Sequence, residues 1–189
     1  MRVISGSAKG RRLHTPADRS VRPTGDRVKE ALFSILYSMA RPLDGMKVLD
    51  LYAGSGALGI EALSRGASHC LFVDSSRASC ELISKNLETT SFLSSAKVWC
   101  KPAARAIADL TAAGAAHDLI LIDPPYGSAD LSATLQAVSS GAAVGRTALV
   151  VVETSSSDEI RSEYDNLILC DRRTYGSTAL LFFRYHRPD

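Results

Sequence analysis

Asp123-Pro124-Pro125-Tyr126 combines a carboxylate, two rigid backbone units and an aromatic face in four consecutive positions. It follows Leu119-Ile120-Leu121-Ile122, an apolar run with the length of a buried strand. The prolines fix the directions of the Asp123 and Pro124 carbonyls and remove competing amides. The Asp123 carboxylate and the Pro124 carbonyl can then each accept one hydrogen from a planar exocyclic amine. Tyr126 offers a face on which the ring can stack, which implies an unpaired or flipped base. Such an amine is a poor nucleophile because its lone pair is delocalised. Accepting both hydrogens while holding it in line with a methyl electrophile is the chemistry this pattern suits. Asp123, Pro124, Pro125 and Tyr126 are the candidate catalytic residues.

A second constellation lies upstream. Asp50-Leu51-Tyr52-Ala53-Gly54-Ser55-Gly56-Ala57-Leu58-Gly59 contains G-x-G-x-x-G at Gly54, Gly56 and Gly59, directly after an apolar run. This is the pattern of a tight strand-to-helix turn that a nucleotide-like ligand can approach. Asp74 ends the next apolar run, eighteen residues after Gly56, where a carboxylate can accept from both ribose hydroxyls. Asp50 stands four residues before Gly54. Its charge would repel a dinucleotide pyrophosphate but attract an amino-acid ammonium. A ribose, an ammonium and no phosphate describe S-adenosylmethionine, which is the cofactor these residues favour.

The elements that must position both sites alternate. Apolar runs at 47–52, 70–73, 96–100, 119–122 and 149–152 are expected as strands, with helical patterns between them near 57–64, 77–90, 104–113 and 130–139. Continuous apolar strands separated by helices imply a parallel sheet covered on both faces. The runs at 167–174 and 178–185, joined by Tyr175-Gly176-Ser177, read as a terminal antiparallel hairpin. Residues 2–5 and 11–14 flank a glycine-bearing turn and read as a small amino-terminal β-hairpin. So few apolar residues leave it mobile unless it docks on the body. Val28, Ala31, Leu32, Ile35, Leu36 and Met39 then fall at helical spacing, with Thr24 or Asp26 as the cap.

The chain has 189 residues, 46% hydrophobic and 22% charged, a balance that excludes wholesale disorder. No apolar run approaches the roughly 18 residues of a spanning helix, and the first residues lack the apolar centre of a signal peptide, so a cytoplasmic location is expected. Cys70, Cys80, Cys100 and Cys170 form no C-x-x-C pair, and His14, His69, His117 and His186 do not cluster. Neither a metal site nor a disulfide framework is expected; four reduced, mostly buried thiols are. The net charge of +2 conceals an asymmetry, because ten Lys and Arg but only four acids fall within residues 1–47. A basic arm on an acidic body suits a polyanion. Lys9, Arg11, Arg12 and Arg19 are its candidate RNA contacts.

Three blocks carry a resemblance to a known family: Arg22-Pro-Thr-Gly-Asp-Arg-Val-Lys-Glu-Ala-Leu-Phe-Ser-Ile-Leu, the Asp50–Gly59 segment continuing through Ile60-Glu61-Ala62-Leu63-Ser64-Arg65-Gly66-Ala67, and Asp-Pro-Pro-Tyr. In that order they resemble the RsmD family of bacterial 16S rRNA guanine-N2 methyltransferases, over nearly the whole chain. The resemblance implies a Rossmann-like class I S-adenosylmethionine-dependent methyltransferase fold, with a mostly parallel seven-stranded sheet. Residues 1–22 are read as a basic hairpin and strap for RNA recognition and 23–189 as the methyltransferase domain. It implies Asp50, Gly54 and Gly56 at the methionine end of the cofactor with Ser55 nearby, Asp74 on the ribose, and Thr24 and Arg27 closing over the cofactor carboxylate. The implied substrate is N2 of the guanine conventionally numbered 966, in 16S rRNA of an assembled or partly assembled small ribosomal subunit. Lys101-Pro102-Ala103-Ala104 lacks the polar side chain that often meets the adenine amine in such enzymes. The rival readings are a DNA adenine-N6 methyltransferase and a non-catalytic RNA-binding module of ribosome assembly.

Overall fold

In the computed structural model, the apolar runs become strands of one sheet. Residues 1–15, 25–40, 42–125, 127, 130–141 and 143–186 are described. The strands are β1 (Lys47–Leu51), β2 (His69–Asp74), β3 (Ala96–Cys100), β4 (His117–Ile122), β5 (Val144–Ser155), β6 (Glu163–Tyr164), β7 (Leu167–Tyr175) and β8 (Thr178–Tyr185). Their order is β3-β2-β1-β4-β5-β8-β7-β6. The first five are parallel; β8 pairs antiparallel with β5, as do β7 with β8 and β6 with β7.

This is the class I methyltransferase arrangement with a terminal antiparallel hairpin, but with eight strands among the described residues where seven were expected. The extra strand is β6, two residues at the sheet edge, too short to show alternation. β5 also begins earlier than its apolar core suggests. A register shift in β4 between His117 and Leu119 lets His117 pair with Val144.

Helices α1 (Asp26–Ala40), α2 (Ala57–Ser64) and α3 (Arg77–Thr90) share one buried cluster with alternate residues of the sheet. Helices α4 (Ala103–Ala112) and α5 (Asp130–Ser140) contribute to the other. α2 is buried along its entire length, and its close seat on β2 needs a glycine. A Cβ on Gly59 would lie 2.3 Å from the Phe72 ring and 2.6 Å from Cys70 Sγ. The third glycine of the motif thus serves helix–strand packing.

The amino-terminal hairpin is docked. Val3, Ala8 and Leu13 are buried in the α1–α2–α3 cluster. Within it, Val3 N–H donates to the Arg11 carbonyl and Gly10 N–H to the Val3 carbonyl, both at 2.9 Å. The remaining attachment is polar. Glu61, fully buried on α2, accepts from the amides of Ile4 (2.8 Å) and Ser5 (3.0 Å) and pairs with Lys29 of α1 (3.5 Å) and Arg65 (2.8 Å). Lys29 Nζ also donates to the Arg2 carbonyl at 2.6 Å. Burial pushes the Lys29 ammonium below its ordinary pKa, with Glu61 opposing that shift.

The cysteines depart from expectation. Cys70 and Cys80 are buried, whereas Cys100 and Cys170 are exposed. β3 is an edge strand, and Cys170 falls at the β7 irregularity between Leu169 and Asp171, so both lack cover on one side. Among the described residues no helix is long and apolar enough to cross a membrane, and no His/Cys/Asp/Glu group could hold a metal ion.

Candidate active site

β2, β1 and β4 lie side by side with β1 in the middle, and all three end on the same edge of the sheet. Chain order reverses at β1, which is the switch point where open parallel sheets bind ligands. Two main-chain bonds tie the three exits together. Ala53 N–H donates to the Val73 carbonyl at 3.1 Å, and Asp123 N–H to the Leu51 carbonyl at 3.3 Å. Asp50, the Gly54-Ser55-Gly56 turn, Asp74, Asp123 and Pro124 are thereby brought to one end of the sheet.

Asp50 is fully buried, and its Oδ2 accepts from the Gly59 amide of α2 at 2.9 Å. It braces the turn from beneath. Burial raises its pKa to about 7; the Gly59 hydrogen bond lowers it, and the nearby Asp74 charge adds to the rise. A buried carboxyl so poorly supplied with positive charge suits a cationic ligand group. Asp74 Oδ2 accepts from the Gly54 amide and its Oδ1 from the Ser76 amide, both at 2.8 Å. A carboxylate has about four lone-pair sites, so acceptor capacity is left for hydroxyl groups. A Cβ on Gly54 would meet only the Tyr52 carbonyl, 3.9 Å away, so the turn faces open space there. Gly56, in a left-handed conformation, leads into α2, whose first turn carries no acid to compete with a ligand carboxylate. These groups have the chemistry that the ribose, ammonium and carboxylate of S-adenosylmethionine would need.

Asp123 is half-buried, Pro124 buried and Pro125 exposed. Tyr126, Thr24 and Arg19 lie outside the described residues. Arg27 is an exposed residue in the first turn of α1. Lys9, Arg11 and Arg12 are exposed on the hairpin, and Arg11 Nη1 also donates to the Thr89 carbonyl at 2.6 Å, in the last turn of α3. That seat is favourable for a cation.

Three residues gain importance that their motifs did not signal. Tyr52 has φ of 60°, a left-handed conformation uncommon for a bulky residue, directly before the glycine turn. Its hydroxyl is 2.8 Å from Thr134 Oγ1 of α5, linking that turn to the helix after the Asp-Pro-Pro segment. Glu61 and Asn86 are the others. Each is a polar residue on a buried helical face, Glu61 one turn after Ala57 and Leu58 and Asn86 one turn after Ile83. That misplacement is the signal that could have found them.

The family model described as "Conserved hypothetical protein 95" matches residues 1–184. "Putative rRNA methyltransferase YlbH" of Bacillus subtilis is 37% identical over 184 residues, covering 97% of this chain and 98% of that protein. "Ribosomal RNA small subunit methyltransferase D" of Escherichia coli K12 is 31% identical over 184 residues, covering 97% of this chain and 89% of its own. The solved structure of "Putative methyltransferase yhhF from Escherichia coli" superposes with a TM-score of 0.84 at 31% identity, covering 98% of both chains. With a model match over nearly the whole length and full-length relatives above 30% identity, the chain belongs to the RsmD family.

Proposed function

We propose that this protein methylates the exocyclic N2 amine of one guanine, the 966 type, in 16S rRNA of the small ribosomal subunit, using S-adenosylmethionine. The observation that carries the reading is the convergence of Asp50, Asp74 and Asp123-Pro124 on neighbouring strand ends at the switch point. The ribosomal substrate is supported by the name of the E. coli relative and by the exposed Lys9, Arg11 and Arg12.

When bound, the cofactor supplies an electrophilic methyl group on a sulfonium. Asp74 would hold the ribose hydroxyls, Asp50 would attract the ammonium, and the α2 amino terminus would receive the carboxylate. The Asp123 carboxylate and the Pro124 carbonyl each accept one amine hydrogen, which aims the nitrogen lone pair along the line of displacement. The methyl group would pass to that nitrogen, with the sulfonium sulfur as the leaving group. The methylated nitrogen then loses its extra proton towards Asp123 or water. Tyr126 stacks on the base.

The test is methyl transfer from labelled S-adenosylmethionine to small subunits lacking their modifications, followed by nucleoside analysis. N2-methylguanosine at one position is expected. N6-methyladenosine, or label entering only DNA, would discard the substrate while retaining the chemistry. Asp123→Ala should lower transfer at least about a hundredfold with RNA binding preserved; full activity in that variant would discard the mechanism.

A further inference from the structure

α3 carries one side chain that touches both the basic hairpin and the glycine turn. Asn86 is fully buried; its Nδ2 donates to the His14 carbonyl at 3.0 Å and the Ser55 carbonyl at 2.8 Å, while its Oδ1 accepts from the His14 amide at 2.7 Å. One amide group thus satisfies both main-chain groups of His14, much as a strand partner would, and has one donor left for the turn. The Ser55 carbonyl and the Gly56 amide belong to the same peptide. That peptide is gripped on both sides, because Gly56 N–H donates to the Ala53 carbonyl at 2.7 Å. Its neighbour, Gly54 N–H, is held by Asp74. Rotation of the Ser55–Gly56 unit would move the cradle in which the methionine end of the cofactor is placed.

The geometry points to Asn86 as a positioning residue that couples the hairpin to cofactor binding. Docking of residues 1–14 orients the Asn86 amide, the amide fixes the Ser55–Gly56 peptide, and the fixed peptide raises cofactor affinity. This rests on the cofactor assignment made above. Because coupling between sites is reciprocal, a filled cofactor site must in turn tighten the hairpin against α3.

The hairpin has a second anchor that does not touch the turn. Ser64, at the far end of α2, accepts from the Ala8 amide at 3.0 Å and donates to the Ser5 carbonyl. Ser64→Ala loosens the hairpin from a distance, which permits a double-mutant cycle read out as equilibrium binding of S-adenosylhomocysteine to the full chain. Asn86→Ala is expected to weaken binding about tenfold and Ser64→Ala about threefold. In the Asn86→Ala background, Ser64→Ala should have no further effect. Equal effects in both backgrounds, or no effect of Ser64→Ala in the parent, would overturn the coupling, because a residue that merely supports the fold gives additive losses. Should Asn86→Ala not fold, hydrogen exchange on the unmodified chain decides the question. The His14 amide should exchange about tenfold more slowly with the ligand bound; unchanged exchange overturns the inference. A parent chain that binds no S-adenosylhomocysteine overturns the cofactor assignment itself and this inference with it, an outcome distinct from binding without coupling.

Discussion

The chain folds back on itself as a hairpin at each end, and the two are held by different forces. The carboxyl-terminal hairpin is part of the sheet. β8 pairs with β5 from Leu149↔Arg184 to Ser155↔Thr178, and residues 178–183 are all buried. Its attachment is spread over a backbone ladder and five consecutive apolar side chains, Ala179 to Phe183. The amino-terminal hairpin places Val3, Ala8 and Leu13 in the core, and its other anchors are side chains of three helices: Lys29, Glu61, Ser64 and Asn86. A distributed attachment yields to loss of volume and takes the whole fold with it. A concentrated one yields to the loss of single polar groups and can open alone.

The largest effect should come from Phe182→Ala, which empties a fully buried aromatic site on β8. We expect a loss of about 3–5 kcal/mol, with both hairpins unfolding in one cooperative transition in urea; separate transitions would break the contrast. Glu61→Gln keeps the shape but leaves Lys29 without its buried counter-charge, at a cost of about 3 kcal/mol. Exchange at the Ile4 and Ser5 amides should then rise before any change appears in β7–β8. Acid should separate the hairpins next. On the proposed contact between Asp50 and the cofactor ammonium, the carboxylate form is required, so affinity should level off above about pH 8 and fall roughly tenfold between pH 8 and 6. Asp50→Asn should flatten that profile. Through Asn86, loss of cofactor in acid should release the first hairpin and leave the second unchanged. The same titration acts oppositely on the cofactor-free fold. Its cost is fully present above the folded value of about 7 and is relieved as pH falls towards the ordinary carboxyl value of 3.8, so acid within that window stabilises it. Ser64→Ala is the gentlest probe, costing about 1 kcal/mol, confined to the first hairpin in exchange measurements.

The contrast also marks what was legible in the sequence. Buried parallel strands are continuous apolar runs, and glycine spacing fixes the turn between β1 and α2, so the layers, that turn and the terminal hairpin could all be read; the switch point, which depends on strand order, could not. Asp74 and Asp123 could be placed because each directly ends a recognisable run. What could not be read depends on pairings between distant residues. Nothing near Glu61 in sequence announces the amides of Ile4 and Ser5, nor does anything near Asn86 announce His14, 72 residues away. β6 was hidden by its two-residue length, and the exposure of Cys100 and Cys170 by strand order, which single-chain periodicity does not contain. Asp50 was expected beside a ligand; the structure adds that it also braces Gly59.

Gly6, at the tip of the first hairpin, has φ of +83°, and a Cβ there would lie 1.7 Å from the Ser64 carbonyl oxygen. A single methyl group at this position is therefore incompatible with docking, yet it removes no charge and touches neither Asp74 nor Asp123. For genetics, that makes Gly6→Ala an allele of the arm: the sheet, Asp74 and Asp123 are unaltered, while the arm no longer lies against its helices.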